Sequence, residues 1–226
     1  IPNIHVDYVM TNTQVPVGWW RSVYNSQNAF ANEGFIDELA HAAGTDPYKF
    51  RLKLLKNSPR YLGVLKLAAE KAGWGKKLEK GRGRGIAVHK AFGSWAAQVA
   101  EVTVNRDGNF SVDRIVSAID CGLAVHPDGV RMQMESAIVF GLTSTLKGEI
   151  TIKDGAVAQS NFHEFELLRI DEMPKVETYI VESNEAPGGA GEPGVPPVAP
   201  AMTNAIFDAT GVRIRKLPIR PEDLRV

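Results

Sequence analysis

The sequence holds one cysteine, Cys121, in 226 residues. A single thiol excludes an intrachain disulfide framework and any metal site built from several thiolates. Charge of either sign is not in surplus: Lys+Arg and Asp+Glu each number 26, for a formal net charge of zero. The broad basic footprint of a nucleic-acid binder is therefore missing, and no nucleic-acid partner is expected. No apolar run approaches the roughly 20 residues of a membrane span. The five histidines, His5, His41, His89, His126 and His163, are scattered without an HExxH pattern, so no metal site made of protein side chains is expected. Against these absences, 44% hydrophobic and 23% charged residues are ordinary for a globular protein, which argues against a chain disordered throughout.

The start, Ile1-Pro2-Asn3-Ile4-His5-Val6, reads like the middle of a protein and shows no charged n-region leading into an apolar stretch. The expectation is a processed chain, or one whose beginning lies elsewhere. The compartment, cytoplasm or periplasm, stays open.

Local patterns divide the chain into a helical segment, residues 1–80, and an α+β segment, residues 81–226. Ile4 to Val9 alternates as a short strand does. Helical spacing runs from about Ser26 to Ala43, with Gly44 suited to the C′ position. Asp46-Pro47 and Ser58-Pro59 each read as an N-cap followed by Pro at N1, opening helices through about Leu55 and Gly73. Lys76 to Arg84 is a basic, Gly-rich run without interleaved aromatics, and reads as a solvated connector. Ile86–Val88, Gln98–Val104 and Ser111–Ile119 read as strands of an antiparallel sheet, with Asn105–Gly108 as a hairpin turn. A helix follows from Asp128 to about Leu146, strand-like stretches lie at Glu149–Ile152 and Val176–Glu182, and Ala201–Ala209 is helical before a last strand at Val212–Arg215. Elements come in blocks rather than in βαβ order, which predicts an α+β fold.

The segment Pro187-Gly188-Gly189-Ala190-Gly191-Glu192-Pro193-Gly194 is the most distinctive. Glycines permit positive φ and let backbone N–H groups approach a ligand's oxygens; a carboxylate follows, stiffened by proline. The helix after it can favour an anion at its N-terminus. Neither GxGxxG nor a P-loop is satisfied. A structural turn carrying a surface glutamate is the other reading. Cys121 is either a nucleophile or a small packed residue. Arg21 either clamps an anion or stacks on an aromatic ring. Gln133, in the first turns of its helix, reads on its own as a solvated or capping amide.

Several stretches, taken in order, resemble the carboxy-terminal part of the molybdenum-binding large subunit of the xanthine oxidase family. They are Thr11-Asn12-Thr13 through Trp20-Arg21-Ser22 with Glu38-Leu39-Ala40; Asp120-Cys121-Gly122 with His126-Pro127 and Gln133-Met134-Glu135-Ser136-Ala137; and Gly188-Gly189-Ala190-Gly191-Glu192-Pro193 with Ala205-Ile206-Phe207-Asp208-Ala209. The likeness is greatest to the branch of the isoquinoline 1-oxidoreductase beta subunit, a branch that also resembles bacterial aldehyde dehydrogenases. Trp20 and Ser22 stand where much of that family has Phe and Gly.

The resemblance implies a molybdopterin-binding domain of mixed or antiparallel sheets with packed helices. It implies oxidative hydroxylation of an N-heteroaromatic or aldehyde substrate with water as the oxygen source. Glu192 matches the family's catalytic base, Gln133 a glutamine that contacts the pterin, Ala190 and Gly191 the backbone beside molybdenum, and Arg21 an arginine lining that centre. The implied cofactor is molybdopterin, as its cytosine dinucleotide, with molybdenum held by the pterin. The family's "MGQG" loop and cluster cysteines are absent. The implied partners are therefore the remaining part of the molybdenum subunit, a small [2Fe–2S] subunit and an electron acceptor. A non-catalytic scaffold subunit of the same family and a phosphate-binding α+β domain are the alternatives.

Overall fold

The computed structural model describes residues 3–224, so the Ile1-Pro2 start lies outside the described residues. Three helices come first: α1 (Tyr24–Ala42), α2 (Pro47–Leu54) and α3 (Pro59–Ala72). Asp46 caps α2 as its sequence predicts, its Oδ1 accepting from Lys49 N at 2.8 Å. Ser58 precedes α3 without a side-chain capping bond, and Gly73 closes that helix in the left-handed conformation at φ 66°.

Strands β1 (Arg82–Ala91), β2 (Ser94–Val104) and β3 (Phe110–Asp120) form an antiparallel meander. Helix α4 (Pro127–Leu146) and a small hairpin, β4 (Ile152–Lys153) with β5 (Ala156–Val157), lead to β6 (Lys175–Ile180). Strand β6 lies parallel to β3, giving the order β1-β2-β3-β6, and α5 (Val198–Thr210) ends the regular structure. The sheet is thus mixed, not purely antiparallel: α4 carries the chain back to start β6 beside β3 in the same direction.

Alternate residues on each strand face opposite sides. Ile86, Val88, Ala97, Val99, Val116 and Ala118 pack with α3. On the other face Ala87, Ala100, Val102 and Ile115 pack with α4 and α5. Helix α5 sits directly on β1, because a Cβ at Gly83 or Gly85 would overlap the carbonyl oxygens of Ala205 and Ala201. The first helices and the later sheet therefore share one body. Among the described residues, no helix is long and apolar enough to cross a membrane.

Three expected strands differ. Residues 4–9 carry no regular secondary structure and join no sheet among the described residues, and Ile4, Val6, Tyr8 and Val9 are all exposed, so alternation alone did not make a strand. Residues 149–152 contribute only the short β4. Val212–Arg215 is irregular because Arg213 turns inward to Asp37, at 2.7 Å. The basic run is also not one connector: Arg82 and Arg84 lie in β1 and pair with Asp113 and Glu101.

Candidate functional site

The Gly/Pro loop runs across the end of the sheet and is pinned on both sides. Gly188 N donates to Cys121 O at 2.8 Å, and Gly189 N donates to Phe92 O at 2.8 Å. Ser94 Oγ donates to Gly189 O at 2.6 Å, and Gln98 Nε2, from the centre of β2, donates to Gly194 O at 2.8 Å. The glycines act differently from the expectation: Gly188, Gly189, Gly191 and Gly194 are not at positive φ. Their value is close approach. A Cβ at Gly188 would overlap Gly93 O and Ser94 Oγ in the β1–β2 turn.

Pinning leaves the middle of the loop open. Among the described residues, none accepts from the main-chain N–H of Ala190, Gly191 or Glu192. Three successive free donors suit an oxygen-rich or anionic ligand. The N-terminus of α5 does not add to them, because Val198, Pro200 and Ala201 are buried in the core.

A turn before α1 meets this loop from the other end of the chain. Val23 N donates to Trp20 O at 2.8 Å, which puts Ser22 at φ 74°. Glycine suits that position of a type II turn, and a side chain there costs about 1–2 kcal/mol. Val23 follows at φ 52°, a second strained residue, and a β-branched one. Ser22 is fully buried. Its N–H donates to Glu192 Oε1 at 2.8 Å and its hydroxyl to Glu192 O at 2.6 Å. Among the described residues, no group donates to Glu192 Oε2.

Arg21 braces the same junction. Its Nε donates to Gly191 O at 2.8 Å, and Nη2 reaches the same carbonyl. Nη1 donates to Ser136 Oγ at 3.1 Å and Nη2 to Gln133 Oε1 at 3.3 Å, both on α4. The guanidinium also lies 5.7 Å from the Phe140 ring centroid. Burial pushes its pKa down, and the nearby Glu192 carboxylate partly restores it. These donors go to the chain's own acceptors, which fixes the guanidinium beside the loop. Arginine offers only donors, so Oε1 of Gln133 must face it; the exposed amide's Nε2 then has no acceptor among the described residues.

Residues singled out in the sequence, Arg21, Gln133, Gly191 and Glu192, are thus joined by direct hydrogen bonds or chain continuity, with Ala190 beside them. Cys121 goes another way. It is 3% exposed and packs with Ala96, Ile119 and Met134, and burial pushes its thiol up, away from a reactive thiolate. Sequence reasoning missed the support around the site: Asn25, His89, Ser94 and Gln98. Their roles depend on tertiary register. Only Ser22, a serine at a turn position that suits glycine, left a local signal.

The fold and loop define an α+β domain that offers main-chain donors beside a carboxylate. Residues 36–174 match the molybdopterin cofactor-binding domain, and the chain belongs to that family. It is 38% identical to a nicotinate dehydrogenase subunit of Pseudomonas putida over 93% of this chain and 19% of that relative. It is 34% identical to the isoquinoline 1-oxidoreductase beta subunit of Brevundimonas diminuta over 98% of this chain and 29% of the relative. The chain therefore spans less than a third of these relatives' lengths. Among solved structures, the aldehyde oxidoreductase from Desulfovibrio gigas superposes with a TM-score of 0.71 over 91% of this chain and 41% of its own, at 15% identity, which establishes the shared fold.

Proposed function

We propose that this chain forms the base-bearing part of a molybdenum hydroxylase that oxidises an N-heteroaromatic substrate, with an aldehyde as the second candidate. The names of the nicotinate and isoquinoline relatives favour the heteroaromatic. The observation that carries the reading is the junction itself: a carboxylate held at one oxygen and free at the other, beside three unpaired N–H groups, in a chain whose residues 36–174 match a molybdopterin cofactor-binding domain. The donor set fits the group, since Gln133 Nε2 and the N–H groups of residues 190–192 match its oxygens and ring acceptors. Among the described residues, no three His, Cys, Asp or Glu side chains sit together as metal ligands. This chain's residues would hold the pterin part of the group.

When bound, the molybdenum–pterin group would supply a water-derived oxygen and take up the substrate's electron pair. Glu192 would serve as the base, its Oε2 free to take up a proton while the N–H at residue 22 keeps Oε1 engaged. Gln133, Ala190 and Gly191 hold the cofactor, and Arg21 fixes the Gly191 carbonyl so that the loop keeps its shape. The cofactor is proposed to be the cytosine dinucleotide form. Residues 1–80 and 81–226 are proposed as two segments of that one domain.

The remaining part of the molybdenum subunit, a small [2Fe–2S] subunit and an electron acceptor are the proposed partners. Exposed apolar surface supports the first of them. Val17 and Trp19 are almost fully exposed, and an apolar groove of about 660 Å³ lined by Trp20, Phe140, Ile150, Phe165 and Leu167 opens beside the site.

Glu192→Gln in the complete enzyme is the test. It nearly preserves volume, so molybdenum content and melting temperature should match the parent. Single-turnover reduction of the molybdenum centre by substrate should slow by ~10²–10⁴-fold. A rate within a few-fold of the parent, at equal metal content, removes Glu192 from the role.

A further inference from the structure

We propose that Ser22 is the positioning residue of the base, acting through its side-chain hydroxyl; this rests on Glu192 being that base. Two polar groups of one residue grip two points of another 170 positions away in sequence. The Ser22 hydroxyl holds the Glu192 carbonyl at 2.6 Å, and the Ser22 N–H holds the carboxylate at 2.8 Å. A carboxylate on a rotatable side chain is fixed only when both its peptide and its head group are tied, and Ser22 ties both. The hydroxyl explains the strain. Any residue supplies the N–H, and glycine would supply it at φ 74° without cost. A buried serine at that φ keeps only one thing glycine lacks, the oxygen that meets Glu192.

Behind Ser22 stands a chain of neutral hydrogen bonds that holds the turn against its strain. Asn25 N and Nδ2 both donate to Ser22 O at 3.0 Å. Asn25 Oδ1 lies 3.1 Å from His89 Nε2 on β1. An acceptor facing Nε2 selects the tautomer protonated there. Burial pushes the pKa of His89 down, which keeps it neutral at physiological pH. The base is thereby referenced to the sheet through Ser22, Asn25 and His89, rather than resting on the loop alone.

The experiment compares Ser22→Gly and Ser22→Ala in the complete enzyme, with Glu192→Gln alongside. Both Ser22 variants keep the N–H and lose the hydroxyl; only the Gly variant also loses the strain. The limiting rate of molybdenum reduction should fall by about 10- to 100-fold in both, as for a group displaced by about an ångström. Substrate dissociation constants and molybdenum content should stay within twofold of the parent, and the Gly variant should melt at or above the parent temperature. A crystal structure of the Gly variant should show the Glu192 carboxylate spread over more than one rotamer. A Gly-variant rate within twofold of the parent overturns the proposal, and so does a slow Ala variant beside a normal Gly variant, because strain would then be the cause. Metal content falling in step with the rate also overturns it, as a structural effect. If those results come with a slow Glu192→Gln enzyme, the base assignment stands without Ser22; a fast Glu192→Gln enzyme removes both.

Discussion

Helix α1 meets two clusters of arginine and carboxylate, one before its first turn and one along its buried stripe. The second is buried and paired ion to ion. Arg51, only 1% exposed, donates from Nε to Glu33 Oε2 at 2.8 Å, from Nη2 to Glu33 O at 2.9 Å and from Nη1 to Pro47 O at 3.1 Å. Glu33 Oε2 also accepts from Val88 N at 2.9 Å, tying α1 to β1. Asp37 lies 2.7 Å from Arg213 Nη2, and Arg213 donates to Asn204 Oδ1 at 3.1 Å. Each charge meets an opposite charge in this buried network, although Glu33 Oε1 accepts no hydrogen bond among the described residues, and Asp37 Oδ2 and Arg213 Nη2 meet only as an ion pair. The first cluster has the same residue types but is left open at Glu192 Oε2, Gln133 Nε2 and three main-chain N–H groups. What separates the two is exposure and the main-chain donors: the first presents its unpaired groups at a partly exposed junction, where a ligand can reach them, and the second buries its charges against one another.

The comparison breaks if the two clusters respond alike to mutation. Glu192→Gln should give the largest effect, on rate alone, as set out above. Next comes Arg51→Ala, which leaves Glu33 buried without its charged partner, while Asp37 keeps Arg213. Removing one side of a buried ion pair costs about 3–5 kcal/mol. Chemical denaturation should show that loss, or the variant should fail to accumulate as folded protein. An Arg51→Ala chain as stable as the parent would mean the buried network holds nothing together.

Gln133→Ala sharpens the open cluster. It removes the free amide and one acceptor of Arg21, so cofactor occupancy should drop by an amount worth about 1–3 kcal/mol, or roughly 5- to 150-fold in the binding constant. Molybdenum and pterin content of the purified complex gives the number. Full occupancy with a slowed chemical step would move Gln133 from holding the cofactor to the reaction itself.

Much of the frame was legible because it is local. Asp46-Pro47 announced α2, Gly73 ended α3, and Asn105–Gly108 turned β2 into β3. The Gly/Pro loop stood out by composition. What was not legible depends on distant partners. Residues 4–9 alternate like a strand but join no sheet among the described residues, whereas β6 pairs in parallel only because α4 carries the chain back across the sheet. Glycine's freedom of φ was the wrong physical reason for Gly188, whose constraint is the β1–β2 turn pressed against it. The Ser22–Glu192 grip joins residues 170 apart, a distance over which no periodicity speaks.

A third ion-pair group, on the α3 side of β6, lies between the two cases and gives the smallest effect. Glu177 is paired but only partly covered, with its side chain 19% exposed. It accepts from Arg114 Nε at 2.9 Å and from Tyr179 OH at 3.0 Å, with Lys175 Nζ 2.9 Å away. Arg114 first, then Lys175, bring its carboxyl down to a pKa of about 2, against a slight opposing effect of burial. A carboxyl whose folded pKa lies below the usual glutamate value contributes stability that is fully present above about pH 4.3 and lost as pH falls through about 2. Solvent screening limits the contribution to about 1 kcal/mol. Glu177→Gln should therefore lower the urea midpoint slightly at pH 7. The gap from the parent should stay constant down to about pH 4.3 and close below it. The opposite trend, a gap that widens in acid, would mean that Glu177 is held protonated in the fold and that its arginine partner does not govern it.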